Sequence, residues 1–370
     1  MDFAFTEDQE SLRAIVRQIL ETEVTQDRLR EIEGGPDFFD ERTWQQLAQA
    51  NLLGLTVPTA HGGSGFGLVE ACIVLEQVGR TVAPVPVLPT LIGALAIGTF
   101  GTDEQQASIL PGVATGATVL ALALIEPGRD DAADPGTVAT RDGSGWRLEG
   151  TKMFVSAADR AGLVLVPAQS ETGTIVCLVD PSAEGVETTL QLTASGEPVF
   201  DLVFSGARAE RALEGPDIGR WLTERAVVGL CAVEVGVVDR AIEMTAAYSS
   251  GRVQFGRPLG SFQAVQQRAA DAYIDVLAMR WTMWNAAWRL DKGLDAGDDV
   301  TVAKFWAADG GHRVVSAAQH LHGGIGVDLS YPLHRYFYWS KQIEVTLGTA
   351  TRQLVKLGRV LAATAPTNSS

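Results

Sequence analysis

Acid–base chemistry is the easiest chemistry to find in this sequence. Forty-five Asp and Glu side chains are spread over 370 residues, so a carboxylate near any proposed site is expected by abundance, and only its position carries information. Other reactive groups are sparse. His320 and His322 could begin a metal site, but no third ligand stands at zinc-like spacing, so no metal is expected. Cys72, Cys177 and Cys231 are far apart and odd in number, which suits a reducing cytoplasm better than a disulfide framework. The loop Val57-Pro58-Thr59-Ala60-His61-Gly62-Gly63-Ser64-Gly65-Phe66-Gly67 is glycine-rich like a phosphate cradle, yet no Gly-Lys-Ser/Thr follows to bind phosphate and metal.

With 29 Lys and Arg the formal charge is -16, which excludes a surface built to coat nucleic acid or an anionic membrane. A composition of 46% apolar and 20% charged residues is that of a globular chain long enough for two or three cores. The start, Met1-Asp2-Phe3-Ala4-Phe5-Thr6-Glu7-Asp8, has no basic segment leading into an apolar one, so no secretory signal is read. The apolar runs Val85 to Phe100 and Val119 to Ile125 fall short of the ~20 residues of a membrane span.

Helices must position the first part of the chain. Leu12, Ile15, Val16 and Ile19 form one stripe, and Val69, Ile73, Val74, Gln77 and Val78 another. From Val119 the texture changes to short strands: 119–125, 146–156, 163–166, 174–179 and 198–204, separated by Gly, Ser, Asp and Pro clusters. Long helices return after Ile218: 225–248, 264–290, 300–321 and, with interruption, 333–363. Trp281, Trp284 and Trp288 lie at helical spacing and read as bundle core. The expected domains are an all-α unit (1–118), a β-unit (119–212), a helical unit (213–364) and a disordered tail (365–370).

Local motifs in this order resemble the acyl-CoA dehydrogenase family, flavoenzymes that desaturate an acyl-CoA thioester between its α and β carbons. The resemblance covers essentially the whole chain. It rests on Pro58 to Gly65, on Glu126-Pro127-Gly128 after the first strand, and on Gly150-Thr151-Lys152-Met153-Phe154-Val155-Ser156. It continues in Arg252-Val253-Gln254-Phe255-Gly256-Arg257-Pro258-Leu259 with Gln263, in His322-Gly323-Gly324-Ile325-Gly326-Val327 with Tyr331-Pro332, and in Gly348-Thr349.

The resemblance implies an α+β fold: an N-terminal helical domain, a β-barrel-like middle domain and a C-terminal four-helix bundle. It also implies FAD in a cleft among them, an acyl-CoA substrate and an electron acceptor such as an electron-transfer flavoprotein. In the family the flavin is shared between subunits. The β-domain holds the ring, so Leu124, Phe154 and Ser156 stand at ring-contact positions. A neighbour's bundle grips the adenosine diphosphate, a role that suits Arg252 and the Gly323-Gly324 pair; Phe255, Leu259, Gln263, His320 and Thr349 are further cofactor-binding candidates. A planar guanidinium at Arg252 suits a pyrophosphate, and Gly323-Gly324 lets backbone approach without a Cβ.

The family's reaction needs a positioned base, normally a Glu immediately before Gly-Thr, and that position is Leu347. Some members carry it ten residues before a glycine, here Gly236, and that position is Ala226. Neither can take a proton. Glu224 and Glu344 are the nearest carboxyls, displaced by two and three residues; two residues turn a helix side chain by roughly 200°. Beyond Glu126-Pro127-Gly128 the family's Ala-Gly-Ser-Asp is replaced by Arg129-Asp130-Asp131, and its flavin-contacting Thr by Ile125.

The chain therefore resembles the base-lacking subunit of heterotetrameric actinobacterial acyl-CoA dehydrogenases acting on steroid side chains. The leading expectation is a non-catalytic subunit that completes the FAD site of a second family chain. The alternatives are a homo-oligomeric dehydrogenase using Glu344 or Glu224, and a non-enzymatic scaffold of the same fold.

Overall fold

The computed structural model describes residues 4–35, 37–129 and 131–364; Asp130 and the expected disordered tail lie outside the described residues. Six helices come first: α1 (Glu7–Glu23), α2 (Gln26–Glu33), α3 (Glu41–Gln49), α4 (Leu68–Thr81), α5 (Val87–Phe100) and α6 (Asp103–Ala114). Thr6 caps α1 by accepting from the Gln9 amide while the Gln9 side chain accepts from Thr6, a reciprocal pair that satisfies two free N–H groups. The α1 stripe differs from expectation at Ile15, which is 51% exposed; Val16 and Leu20 face the core instead. Helix α4 is buried on every side from Ala71 to Arg80, so its apolar period is real but its polar positions are enclosed too.

Eight strands form the middle sheet: β1 (Val119–Leu122), β2 (Val138–Asp142), β3 (Gly145–Ser156), β4 (Ala161–Ser170), β5 (Gly173–Val179), β6 (Val186–Leu192), β7 (Pro198–Ala209) and β8 (Arg211–Leu213). Their order is β6-β7-β3-β2-β4-β5-β8 with β1 beside β4, and β6 and β8 stand at opposite ends, so the sheet is not hydrogen-bonded into a closed barrel. Strands β2, β6 and β8 were not legible. β2 has one buried side chain and β6 none, so neither presents an alternating apolar face. Leu148, Val164, Val166, Leu202 and Phe204 centre the sheet's own core.

The C-terminal unit comprises α7 (Ile218–Gly251), a small hairpin of β9 (Val253–Gln254) and β10 (Arg257–Pro258), α8 (Gln263–Asp291), α9 (Gly297–His322), α10 (Leu333–Val345) and α11 (Ala350–Thr364). The interruption expected near the end falls at 346–349. Helix α7 crosses α4 at backbone contact: a Cβ on Gly236 would stand 1.9 Å from the Glu76 carbonyl oxygen, and one on Gly79 would stand 1.9 Å from that of Val233. Only glycine allows that approach. Helix α10 is held by side chains from three elements. Lys304 Nζ, fully buried on α9, donates to the Ile343 carbonyl at 2.7 Å; Ser340 Oγ donates to the buried Glu234 carboxylate of α7 at 2.6 Å; Arg335 forks onto Glu33 of α2. The tryptophans divide: Trp284 is buried, whereas Trp281 is 48% exposed, so α8 does not turn all three into the bundle.

Candidate functional site

Glu126 and Lys152, from two of the sequence motifs, meet each other. Lys152 is fully buried and its Nζ donates to Glu126 Oε1 at 2.6 Å. Thr137 adds its amide and hydroxyl to the same oxygen, and the Gly136 amide reaches Oε2. Burial pushes the Glu126 pKa up, but Lys152 and Thr137 outweigh it and hold the carboxyl below its usual value. Gly150 lies at φ +145°, where an added Cβ would strike Thr137. These residues tie the segment after β1 to the middle of the sheet; they offer no free proton acceptor.

Next to this pair runs a cleft of about 180 Å³ between the three domains. The α4–α5 corner contributes Val85, Pro86 and Leu88. The sheet contributes Leu124, Ile125, Phe154 and Ser156, α7 contributes Ala226, and the end of α10 contributes Gln342, Thr346 and Leu347. Ala226 and Leu347, the two positions at which a base was sought, thus line one cavity. Leu347 adopts φ +55° and is followed by Gly348 at φ +102°. A leucine is rarely found in that conformation, so the surrounding fold imposes it. Phe154 is similarly constrained at φ +55°, at an irregularity in the β3–β7 ladder that frees it from the pleat; it is 46% exposed and its amide donates to Asp201 Oδ1.

The displaced candidates are otherwise engaged. Glu344 turns to the surface between Lys341 at 2.5 Å and His312 at 3.3 Å and does not line the cleft. Glu224 lines a separate pocket behind Leu347 and is paired with Arg220 at 2.7 Å. The carboxyl that does line the cleft is Glu197, which sequence reading missed. It sits in the turn before β7 and accepts from Ser156 Oγ at 2.9 Å; burial pushes its pKa up and Ser156 partly offsets this. The turn residues Ser195-Gly196 mark a loop there, but nothing local tells which way Glu197 faces.

The remaining motif residues gather at the far end of the bundle. Arg252 caps α7 and is exposed, and the Leu259 amide closes the hairpin onto its carbonyl at 2.8 Å. Phe255, at the hairpin tip with φ +52°, is 92% exposed, its ring edge-on to Phe262. Gln263 begins α8 and is exposed, and Leu259 is partly covered. Tyr248, one turn before Arg252, stacks on His322 at 4.5 Å and so joins this hairpin to the end of α9. His322 is buried, with its ring nitrogens on the Ala318 carbonyl and the Tyr331 hydroxyl, while His320 is exposed. Gly323 and Gly324 stand in open space. Thr349 lies near the cleft instead, in an open pocket of about 810 Å³ with Ile125, Phe154 and Arg352.

Residues 6–117 match the acyl-CoA dehydrogenase N-terminal domain and residues 220–362 the acyl-CoA dehydrogenase C-terminal domain. The chain belongs to the acyl-CoA dehydrogenase family. It is 39% identical to the acyl-CoA dehydrogenase FadE27 of Mycobacterium tuberculosis over 98% of this chain and all of that one, and 34% identical to FadE28 of the same organism over 97% and 98%. Among solved structures it is similar to the Tcur3481-Tcur3483 steroid ACAD G363A variant, at 46% identity and TM-score 0.93 over 96% of this chain and 98% of that chain. It is equally similar in shape to a chain of the ChsE4-ChsE5 complex from Mycobacterium tuberculosis, at 39% identity and TM-score 0.93 over 99% and 100%. As in other acyl-CoA dehydrogenases, helical, sheet and helical units follow in order, and the cleft lies where they meet. No helix among the described residues is long and apolar enough to cross a membrane.

Proposed function

We propose that this chain is the non-catalytic subunit of a heterotetrameric, FAD-dependent acyl-CoA dehydrogenase, completing the cofactor site of a second family chain that supplies the base. The observation that carries this reading is the pairing of Ala226 with Leu347 in one cleft: both base positions face the same space and neither can accept a proton. Glu344 and Glu224 are held by cations elsewhere, which counts against a homo-oligomer using either one.

FAD supplies the acceptor for the hydride that leaves the β carbon while a base removes the α proton. Two halves of this chain suit that cofactor differently. Arg252 has no ion pair among the described residues, and Gly323 and Gly324 present open backbone, a combination that fits a pyrophosphate. The ring-contact side does not fit: Ile125 replaces a hydroxyl, and Ser156 already donates to Glu197. Phe255, strained and almost wholly exposed, suits contact with another chain better than isolation in water.

The substrate reading follows the relatives. Of two solved relatives, one is named a steroid ACAD after two chains and the other is a two-chain complex, which supports an acyl-CoA with a steroid-derived acyl group and a second acyl-CoA dehydrogenase as partner. An electron-transfer flavoprotein is the expected acceptor of the electrons, and three buried, unbridged cysteines suit the cytoplasm. Expression of the chain alone and with a candidate partner, followed by flavin absorbance per chain and acyl-CoA oxidation, tests the proposal. A flavin-free chain that becomes part of a yellow, active assembly is the expected result. A yellow, acyl-CoA-oxidising protein from this chain alone would overturn it.

A further inference from the structure

We infer that Glu197 is the group that excludes a flavin ring from this chain's own cleft. The inference rests on the dependent-subunit reading and goes beyond it, because it assigns the exclusion of the ring to one contact that is present as well as to groups that are missing.

The turn that carries Glu197 is built to hold it still. Thr193 Oγ1 donates to the Glu197 carbonyl at 2.9 Å and shares a hydrogen bond with Ser195 Oγ at 2.9 Å. The Glu197 amide in turn donates to Ser195 Oγ at 3.4 Å, and Gly196 supplies the φ of +86° that the turn requires. From there the side chain reaches across to β3 and takes the Ser156 hydroxyl. It has no ion-pair partner among the described residues, and Ser156 and burial are what act on its carboxyl.

Three consequences follow for a ring placed against Leu124, Phe154 and Ser156. The N5 and O4 edge of an oxidised flavin accepts hydrogen bonds, and the Ser156 proton is already committed to Glu197. The Glu197 oxygen that takes the Ser156 proton would turn its own lone pairs toward those acceptors. An aromatic ring laid over Glu197 would also strip the remaining water from an unpaired carboxyl, which is unfavourable.

The test titrates FAD into the full-length chain and follows flavin fluorescence, comparing wild type with Glu197→Gln and Glu197→Ala. Thermal melting confirms that each variant is folded. The expected result is negligible binding by wild type, at least roughly tenfold tighter binding by Glu197→Ala, and an intermediate value for Glu197→Gln, which loses the charge but keeps an acceptor for Ser156. Adding Ser156→Ala to Glu197→Ala should remove most of the gain, a response that a purely structural role for Glu197 would not produce. Folded variants that bind no better than wild type would overturn the role of Glu197 while leaving the dependent-subunit reading intact. If Glu197→Ala does not fold, Glu197→Gln decides on the same criterion. Wild type that binds FAD stoichiometrically by itself would overturn both.

Discussion

The backbone of Gly236 touches the backbone of Glu76, with room for a hydrogen and nothing larger: a Cβ would stand 1.9 Å from the carbonyl oxygen. This contact sets the rotation of α7 against α4. Ala226, ten residues and roughly 15 Å earlier on the same helix, takes its place in the cleft from that setting.

Gly236→Ala should therefore destabilise the chain by roughly 3 kcal/mol or more, because both partners at the crossing are backbone and neither can rotate away. Gly358→Ala is the control. Gly358 lies within α11 and its Cβ would meet nothing within 4 Å, so the change should stabilise by roughly 0.5–1 kcal/mol. Midpoints of urea unfolding measure both.

Acid stability should depend on the Glu126–Lys152 pair. The folded Glu126 carboxyl is held below its usual value, so its contribution is fully present above the unfolded pKa of ~4.3 and is lost as pH falls through the folded value. The pKa of Lys152 is itself lowered, burial outweighing the help from Glu126, so alkaline pH discharges it earlier than an exposed lysine. In Lys152→Met the carboxyl keeps its burial and loses its counter-charge, at a cost of about 3–5 kcal/mol near neutrality. Its folded pKa then rises above the unfolded one, and the acid dependence should reverse, with stability increasing as pH drops toward 4. Unfolding midpoints between pH 3 and 7 show the sign.

Turnover should be insensitive to Leu347. In the proposed two-chain assembly, Leu347→Ala should leave kcat/KM for acyl-CoA within about twofold, since on that reading the other subunit supplies the base. Leu347→Glu in the isolated chain restores a carboxyl to the family position, yet it should yield no acyl-CoA oxidation, because Ile125 still stands in place of a ring-contact hydroxyl and Ser156 still donates to Glu197. Oxidation coupled to an artificial dye checks both.

Phe255→Gly should separate folding from assembly. It relieves a positive φ and removes a ring that is 92% exposed, so the isolated chain should be unchanged or more stable by about 1 kcal/mol. Association with the partner should weaken by at least roughly tenfold, as expected for an aromatic anchor. Sedimentation of mixed chains gives the second quantity and thermal unfolding the first.

Much of this protein was readable from residue order alone. Long apolar periods placed α7, α8 and α9 within a few residues, except for the first two turns of α7, and the resemblance to the family implied two positions for a base, at which Leu347 and Ala226 cannot take a proton. Such signals are local: they depend on side-chain type and on distances along the chain. What the tertiary structure decided is which of these positions face one another. Strand β6 shows no buried face and exists because β7 pairs with it. Glu197 is one of 45 carboxylates in composition, and it becomes a cleft residue only because the β6–β7 turn folds back on Ser156. Convergence of that kind depends on sheet register and on the α4–α7 crossing, contacts between residues distant in sequence, and no run of neighbouring residues encodes it.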